Sequence, residues 1–482
     1  MRKVLLIAIA AAPMLSAQGR PLDWPFFGGD AQRTGWQKND LRITKENVRE
    51  LQLVLKRKFD NAGAGPRSLT PPVVIGNLIS YKGFKELGFV AGAPDSMWSI
   101  DLDLDRPFWN KKFDGTVKAS GACSAMVTAV PSLTPPNNFT SRPRPGTATG
   151  GTSTGRPVIA PTGLMVPKGV YSQRPAFAVS SDGKLHVLNT STGEDLVTPV
   201  AFLPPGSKAS NLAIVDGFVY TTTTSDCGGT SGIWAIDLGK IDPKNPSADT
   251  PVLSLKAAVG GLAFGTDNTL YVQTSDGQLL ALHPKDLTVK AKYSGLAEPS
   301  TPVVFQHVNR DVIVAAGAKG SLTLLDSNGL TVLAQTPALV ASGRGVWGGL
   351  STWAETEGAR WILAPVWGAP KSGMVAFELE EKDGKPVLTQ RWMREMSTPE
   401  VPVITSGIVF ALSAGEYASE DAKGSGRAVL YALDGTTGKD LYSTGKQIAG
   451  PANLNGLTVA NGRVYFATTD NTLHAFGIFL ER

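Results

Sequence analysis

The sequence predicts an all-β chain folded as an eight-bladed β-propeller. Three observations carry that prediction: a phrase written eight times, strand-like alternation inside each repeat, and no helical pattern in any repeat. The clearest copies are MWSIDLDLDRPFW at Met97–Trp109, LHVLNTSTGEDL at Leu185–Leu196, WAIDLGK at Trp234–Lys240 and YALDGTTGKDLY at Tyr431–Tyr442. Fainter ones are LLALHPKDLTV (Leu279–Val289), LTLLDSNGLTV (Leu322–Val332), MVAFELEE (Met374–Glu381) and LHAFGIF (Leu473–Phe479). The residue that follows the apolar pair is Asp101, Asn189, Asp237, His283, Asp326, Glu378, Asp434 and Gly477, at intervals of 88, 48, 46, 43, 52, 56 and 43 residues. A sustained period of this size marks an array of supersecondary units.

From the N-terminus, Arg2 and Lys3 precede the apolar run Val4–Ala12, and Leu15-Ser16-Ala17 offers a small-residue cleavage site. Residues 1–17 therefore read as a secretory signal peptide, with residues 18–482 as a single propeller domain. No later segment approaches the ~20 apolar residues of a membrane span. No Cys stands at the cleavage point to carry a lipid, so the expected location is periplasmic or secreted. Removing Arg2 and Lys3 lowers the formal charge from +5 to +3. The remaining basic residues form no dense cluster, which gives nucleic-acid binding no support. The expected species is a monomer.

Within each unit, apolar residues alternate and Gly-bearing dipeptides such as Asp182–Gly183, Asp216–Gly217, Asp276–Gly277 and Asn461–Gly462 separate the runs, as tight hairpin turns require. Three or four short strands per unit make a propeller blade. The first interval is nearly twice the others, yet 131–169 contains no copy of the phrase. It is a Pro/Gly/Thr/Ser-rich run and reads as an exposed loop excursion. The last unit stops soon after its third strand, and Leu51–Phe59 is the segment available to complete it, closing the ring. Seven blades result instead if the weak unit around Glu378 is a rim insertion.

The phrase resembles the repeat of the quinoprotein propellers, the family named for pyrroloquinoline quinone (PQQ). The opening DWPFFGGDAQRTGW at Asp23–Trp36 is similar to the lead-in that many of them place before the first blade. The resemblance covers nearly the whole chain after residue 17 and implies the PQQ-like propeller fold. It does not select a chemistry, because the family includes alcohol and sugar dehydrogenases, outer-membrane assembly scaffolds and members without a cofactor.

Chemical motifs give little. Gly151-Thr152-Ser153-Thr154-Gly155 matches G-x-S-x-G by letter but lies in the low-complexity run, where no strand and helix flank it. Asp101, Asp103 and Asp105 resemble the start of a calcium loop, but Arg106 and Lys112 stand where Gly and Glu are required. The four His, at 186, 283, 307 and 474, show no zinc spacing, so no metal ligand is assigned. Spacing alone leaves a Ser-His-Asp triad open, and no catalytic residue is selected. Cys123 and Cys227 form an even pair that an oxidising compartment would join as a disulfide.

The resemblance places ligands at the rim, where the chain enters each innermost strand. The entering residues read from the sequence are Arg67, Arg174, Asn211, Glu298, Trp347, Glu400 and Asn453. The stretch Ser342–Gly368 adds Arg344 and Trp367 and concentrates four of the ten Trp residues beside closely spaced Gly. Aromatic planes beside a cation suit a planar anion such as PQQ, and they equally suit packing between blades.

Two functions follow. One is a binding module that presents its rim to a protein, peptide or glycan. The other is a PQQ- and calcium-dependent oxidoreductase of the alcohol or sugar dehydrogenase type, passing electrons to an external acceptor. The chain has no adjacent Cys pair to cap the quinone, no C-x-x-C-H for haem and no outstanding rim Asp to act as base. The balance therefore falls to the binding module.

Overall fold

The computed structural model describes residues 22–60, 68–80, 83–113, 123, 126–130, 174–241, 250–297, 299–356, 358–415 and 426–478. The expected signal peptide and the run at 131–169 lie outside them. The described chain forms eight sheets, and its helical elements are short 3-10 turns, so the count is eight blades and not seven. The unit around Glu378 is a complete blade, built on Arg360–Ala369, Gly373–Lys382 and Lys385–Glu395.

Seven of the eight marker residues end or follow the third strand of their blade, and Glu378 lies within its strand, Gly373–Lys382. At the strand end such a residue caps a turn: Asp434 Oδ1 accepts the Thr436 and Thr437 amides at 3.0 and 2.9 Å. Asn189, Asp237 and Asp326 accept the amide two residues on at 2.8–2.9 Å. A short polar side chain bonded to the backbone two residues later is what stops a strand and starts a turn.

The rest of the phrase joins blade to blade. Trp392, on the outer strand of blade 6, donates its indole N–H to Gly435 O at 3.0 Å in the turn of blade 7. Trp109 of blade 1 donates to Thr190 O at 2.9 Å in the equivalent turn of blade 2. Gly438 and Gly193 have φ of 70° and 76°, and a Cβ on either would lie 2.6–2.7 Å from these indoles. The Gly of the phrase thus permits both the left-handed turn and the approach of the neighbouring Trp. Apolar clusters fill the remaining seams.

The ring closes as the sequence predicts. Gln52–Lys58 pairs antiparallel with Thr472–Gly477 and becomes the outer strand of blade 8. Trp36–Gln37 adds parallel to Val403–Thr405 of blade 7.

The lead-in between these joints has a larger role than a linker. Its backbone accepts from Val74 of blade 1 (through Trp24 O, 2.8 Å), Val130 of blade 2 (Pro25 O, 2.9 Å) and Phe264 of blade 4 (Ala31 O, 2.8 Å). It goes on to accept from Val304 of blade 5, Thr352 of blade 6 and Ile404 of blade 7, through Gln32, Thr34 and Gly35 at 2.7–3.0 Å. Asn461 of blade 8 holds both backbone groups of Leu22 at 2.7 and 3.1 Å. Leu22–Gln37 therefore crosses the inner strands of seven blades and plugs one end of the axial channel. Asp30 and Arg33 brace it from inside. Asp30 accepts the Thr34 amide at 2.9 Å, and Arg33 Nε donates to Leu262 O at 2.7 Å while its guanidinium lies 5.1 Å from the Phe26 ring. Burial raises the Asp30 carboxyl above its usual range and lowers Arg33 to about 10.

Candidate functional site

At the opposite end the innermost strands surround a cavity of about 360 Å³. Every blade contributes to its wall, and Trp24, Phe26 and Phe27 of the lead-in form its floor. The polar wall is mostly neutral: Ser68, Thr70, Thr128, Ser210, Thr301 and Thr458, with the amides of Asn211 and Asn455. Among the described lining residues Lys208 is the one cation and Glu400 the one carboxylate. Lys208 Nζ lies 3.7 Å from the exposed Asp226. Glu400 is 2% exposed and accepts the Gly456 amide on Oε2 at 3.0 Å.

The residues expected at the rim disperse. Asn211 and Trp347 line the cavity. Trp367 stacks on Trp347, centroids 4.4 Å apart and planes 16° apart, and donates to Pro399 O at 2.8 Å. The exposed Arg344 lies 4.9 Å from the Trp347 centroid. Asn453 is buried and donates to Leu69 O at 3.1 Å, tying blade 8 to blade 1.

Arg174 corrects the sequence reading. It precedes the second strand of blade 2, because the innermost strand is Val127–Ala129. It lies at the plugged end, bonded to both oxygens of Asp23 at 2.5 and 2.9 Å. Arg67 and Glu298 fall outside the described residues. Sequence reasoning missed Lys208 as a wall residue: the strand begins there, and a bulge between Ala209 and Leu212 shifts the register around Asn211. Cys123 and Cys227 are joined by a disulfide with Cα atoms 5.6 Å apart, near the cavity-lining Met126 and Thr224.

A Ser-His-Asp constellation is present elsewhere. Ser180 Oγ lies 3.1 Å from His186 Nε2, and His186 Nδ1 lies 2.9 Å from Asp195 Oδ1. Its surroundings mark it as structural. Ser180 is 3% exposed and donates to Asp182 Oδ1 at 2.5 Å, and the same turn recurs in other blades. In blade 8, Thr468 bonds Asp470 at 2.6 Å and approaches His474 Nε2 at 3.3 Å. In blade 4, Thr274 bonds Asp276, and Leu280 takes the place of the His. A hydroxyl and an acid two residues on are the repeat's own means of making this turn.

PQQ carries three carboxylates, and among the described lining residues one lysine and a buried carboxylate of the same sign would meet them. No three His, Cys, Asp or Glu side chains converge on a metal position among the described residues. The described residues contain no helix long and apolar enough to cross a membrane.

No family model and no curated protein matches the sequence. Solved structures do match. The quinohemoprotein alcohol dehydrogenase of Comamonas testosteroni superposes with a TM-score of 0.57 at 14% identity, over 97% of this chain and 82% of that one. A europium-containing methanol dehydrogenase gives 0.61 at 11% identity, over 95% and 99%. Sqt1 of Saccharomyces cerevisiae gives 0.55 at 10% identity, over 88% and 98%. At such identities the likeness shows the fold alone, and on that fold, with its N-terminal closing strand and eight blades of four or five strands, this chain is an eight-bladed β-propeller of the quinoprotein type.

Proposed function

We propose that this chain is an exported, monomeric binding module that takes a protein, peptide or glycan segment at the mouth of its axial cavity. The observation that carries the reading is the contrast in the channel. One end is closed by a hydrogen-bonded plug, and the other is an open cavity near the lower end of the ~300–1,000 Å³ range of ligand sites. Its neutral hydroxyls and amides supply directional bonds, and its aromatic floor supplies apolar area. Both favour recognition over a reaction that needs a base, a metal or an electron carrier.

The test uses the mature protein against peptide and glycan panels, with Ser210→Trp blocking the cavity. Binding that Ser210→Trp abolishes is expected. In parallel, PQQ and calcium are added and dye-linked oxidation of alcohols and aldose sugars is followed. Stoichiometric PQQ binding with dye reduction overturns the binding-module reading in favour of the oxidoreductase.

A further inference from the structure

At the plugged end one buried cation stands without an acid. Arg360 opens the strand Arg360–Ala369 of blade 6 and is 9% exposed. Its guanidinium lies 4.8 Å from the ring of Phe305, on blade 5, and 6.0 Å from the ring of Trp36, in the lead-in. Lys38 Nζ approaches the same Trp36 ring at 4.9 Å. Two cations thus gather where the lead-in meets blades 5 and 6.

The carboxylates nearest in this region are engaged elsewhere. Asp30 accepts the Thr34 amide, and Glu355 Oε1 accepts the Trp361 indole N–H at 2.6 Å. Among the described residues no acceptor bonds the Arg360 guanidinium. Burial lowers it to about 10, which leaves it charged at neutral pH. A cation taken from water without a counter-ion is costly, and contact with two rings offsets only part of the cost. Its nitrogens nevertheless stay reachable: Arg33 Nη2 is sealed from solvent without a partner, and no nitrogen of Arg360 is. A guanidinium held by rings and open to solvent presents a planar fork of donors that matches two oxygens of one anion.

We infer that the plugged end binds a structural oxyanion, a carboxylate or phosphate group, on the Arg360 guanidinium with Lys38 as the second cation. The anion bridges the lead-in to blade 6 and adds to the closure that the backbone bonds of the plug begin. The site is separate from the cavity at the mouth and from whatever binds there.

Thermal unfolding and calorimetric titration of the mature protein test this with phosphate, sulfate and acetate, each against chloride at equal ionic strength so that general screening cancels. At least one oxyanion should raise the melting temperature saturably. Phosphate and sulfate acting without acetate would assign a tetrahedral ion, and acetate acting alone a carboxylate. Arg360→Met keeps apolar contact with both rings; it should abolish the rise and be no less stable than wild type in chloride. Lys38→Met leaves Arg360 in place and should weaken the oxyanion about tenfold or more. The proposal is overturned if no oxyanion stabilises the wild type beyond chloride, or if the rise survives in Arg360→Met. Glu357 lies outside the described residues. Equal losses of stability in chloride for Arg360→Met and Glu357→Gln would give the guanidinium an acid of its own chain and likewise overturn the proposal.

Discussion

At the plugged end of the axial channel the inner strands meet sixteen residues of lead-in, Leu22–Gln37, that bond seven of the eight blades. At the mouth the same strands meet a cavity whose polar groups are mostly hydroxyls and amides. The difference separates two uses of one architecture. Backbone bonds and buried charges at the plug hold the ring together, while the mouth is lined mostly by neutral hydroxyl and amide side chains.

Substitutions should divide along that line. Trp24→Ala, removing a side chain 2% exposed on the plug, is expected to lower stability by about 3–5 kcal/mol in denaturant unfolding. Trp347→Ala at the mouth removes a half-buried indole whose stack on Trp367 is worth about 0.5–1.5 kcal/mol beyond its area burial, and should cost less than Trp24→Ala. Equal losses would erase the distinction.

Protons should also act with opposite sign at the two ends. Glu86 is buried at the plugged end beside Asn461, Arg463 and Arg42, and burial pushes its carboxyl up to about 7. Its contribution is present below the ordinary value of 4.5 and is lost as pH rises through 7, on the order of 3 kcal/mol. His474 lies in the strand Thr472–Gly477, against Thr468 at the mouth end of blade 8, and burial lowers it to about 4. Its contribution is present above 6.5 and is lost as pH falls through 4. Glu86→Gln should flatten the stability profile between pH 4.5 and 7, and His474→Gln should flatten its acid limb. Profiles unchanged in both variants would break this part of the account.

Asp30→Ala leaves the buried Thr34 amide and Arg33 without their acceptor and countercharge, at a cost of about 1–3 kcal/mol by chemical denaturation. Smallest of all, Lys208→Met at the mouth should change stability by no more than about 0.5 kcal/mol, because its ion pair is open to water.

Much of the fold was legible because it is repetitive. The turn acid and the Gly that follows made Asp434 and Gly438 readable as part of one phrase, and Gln52–Lys58 was readable within the missing strand, whereas the docking of Trp392 on that turn emerged only from the structure. The site was less so. Arg174 misled because the inner strand of blade 2 is separated from its second strand by a long low-complexity run. The plug was invisible as such, since its bonds are backbone groups that any sequence carries. Lys208 was hidden by a bulge.

The central claim is that ligand recognition belongs to the mouth. It is tested most directly by measuring the affinity of the best ligand from the peptide and glycan panels for two matched variants: Ser210→Trp in the cavity and Val308→Trp in an exposed turn at the plugged end. Loss of binding in Ser210→Trp with wild-type affinity in Val308→Trp is the predicted result, and the reverse pattern would contradict it.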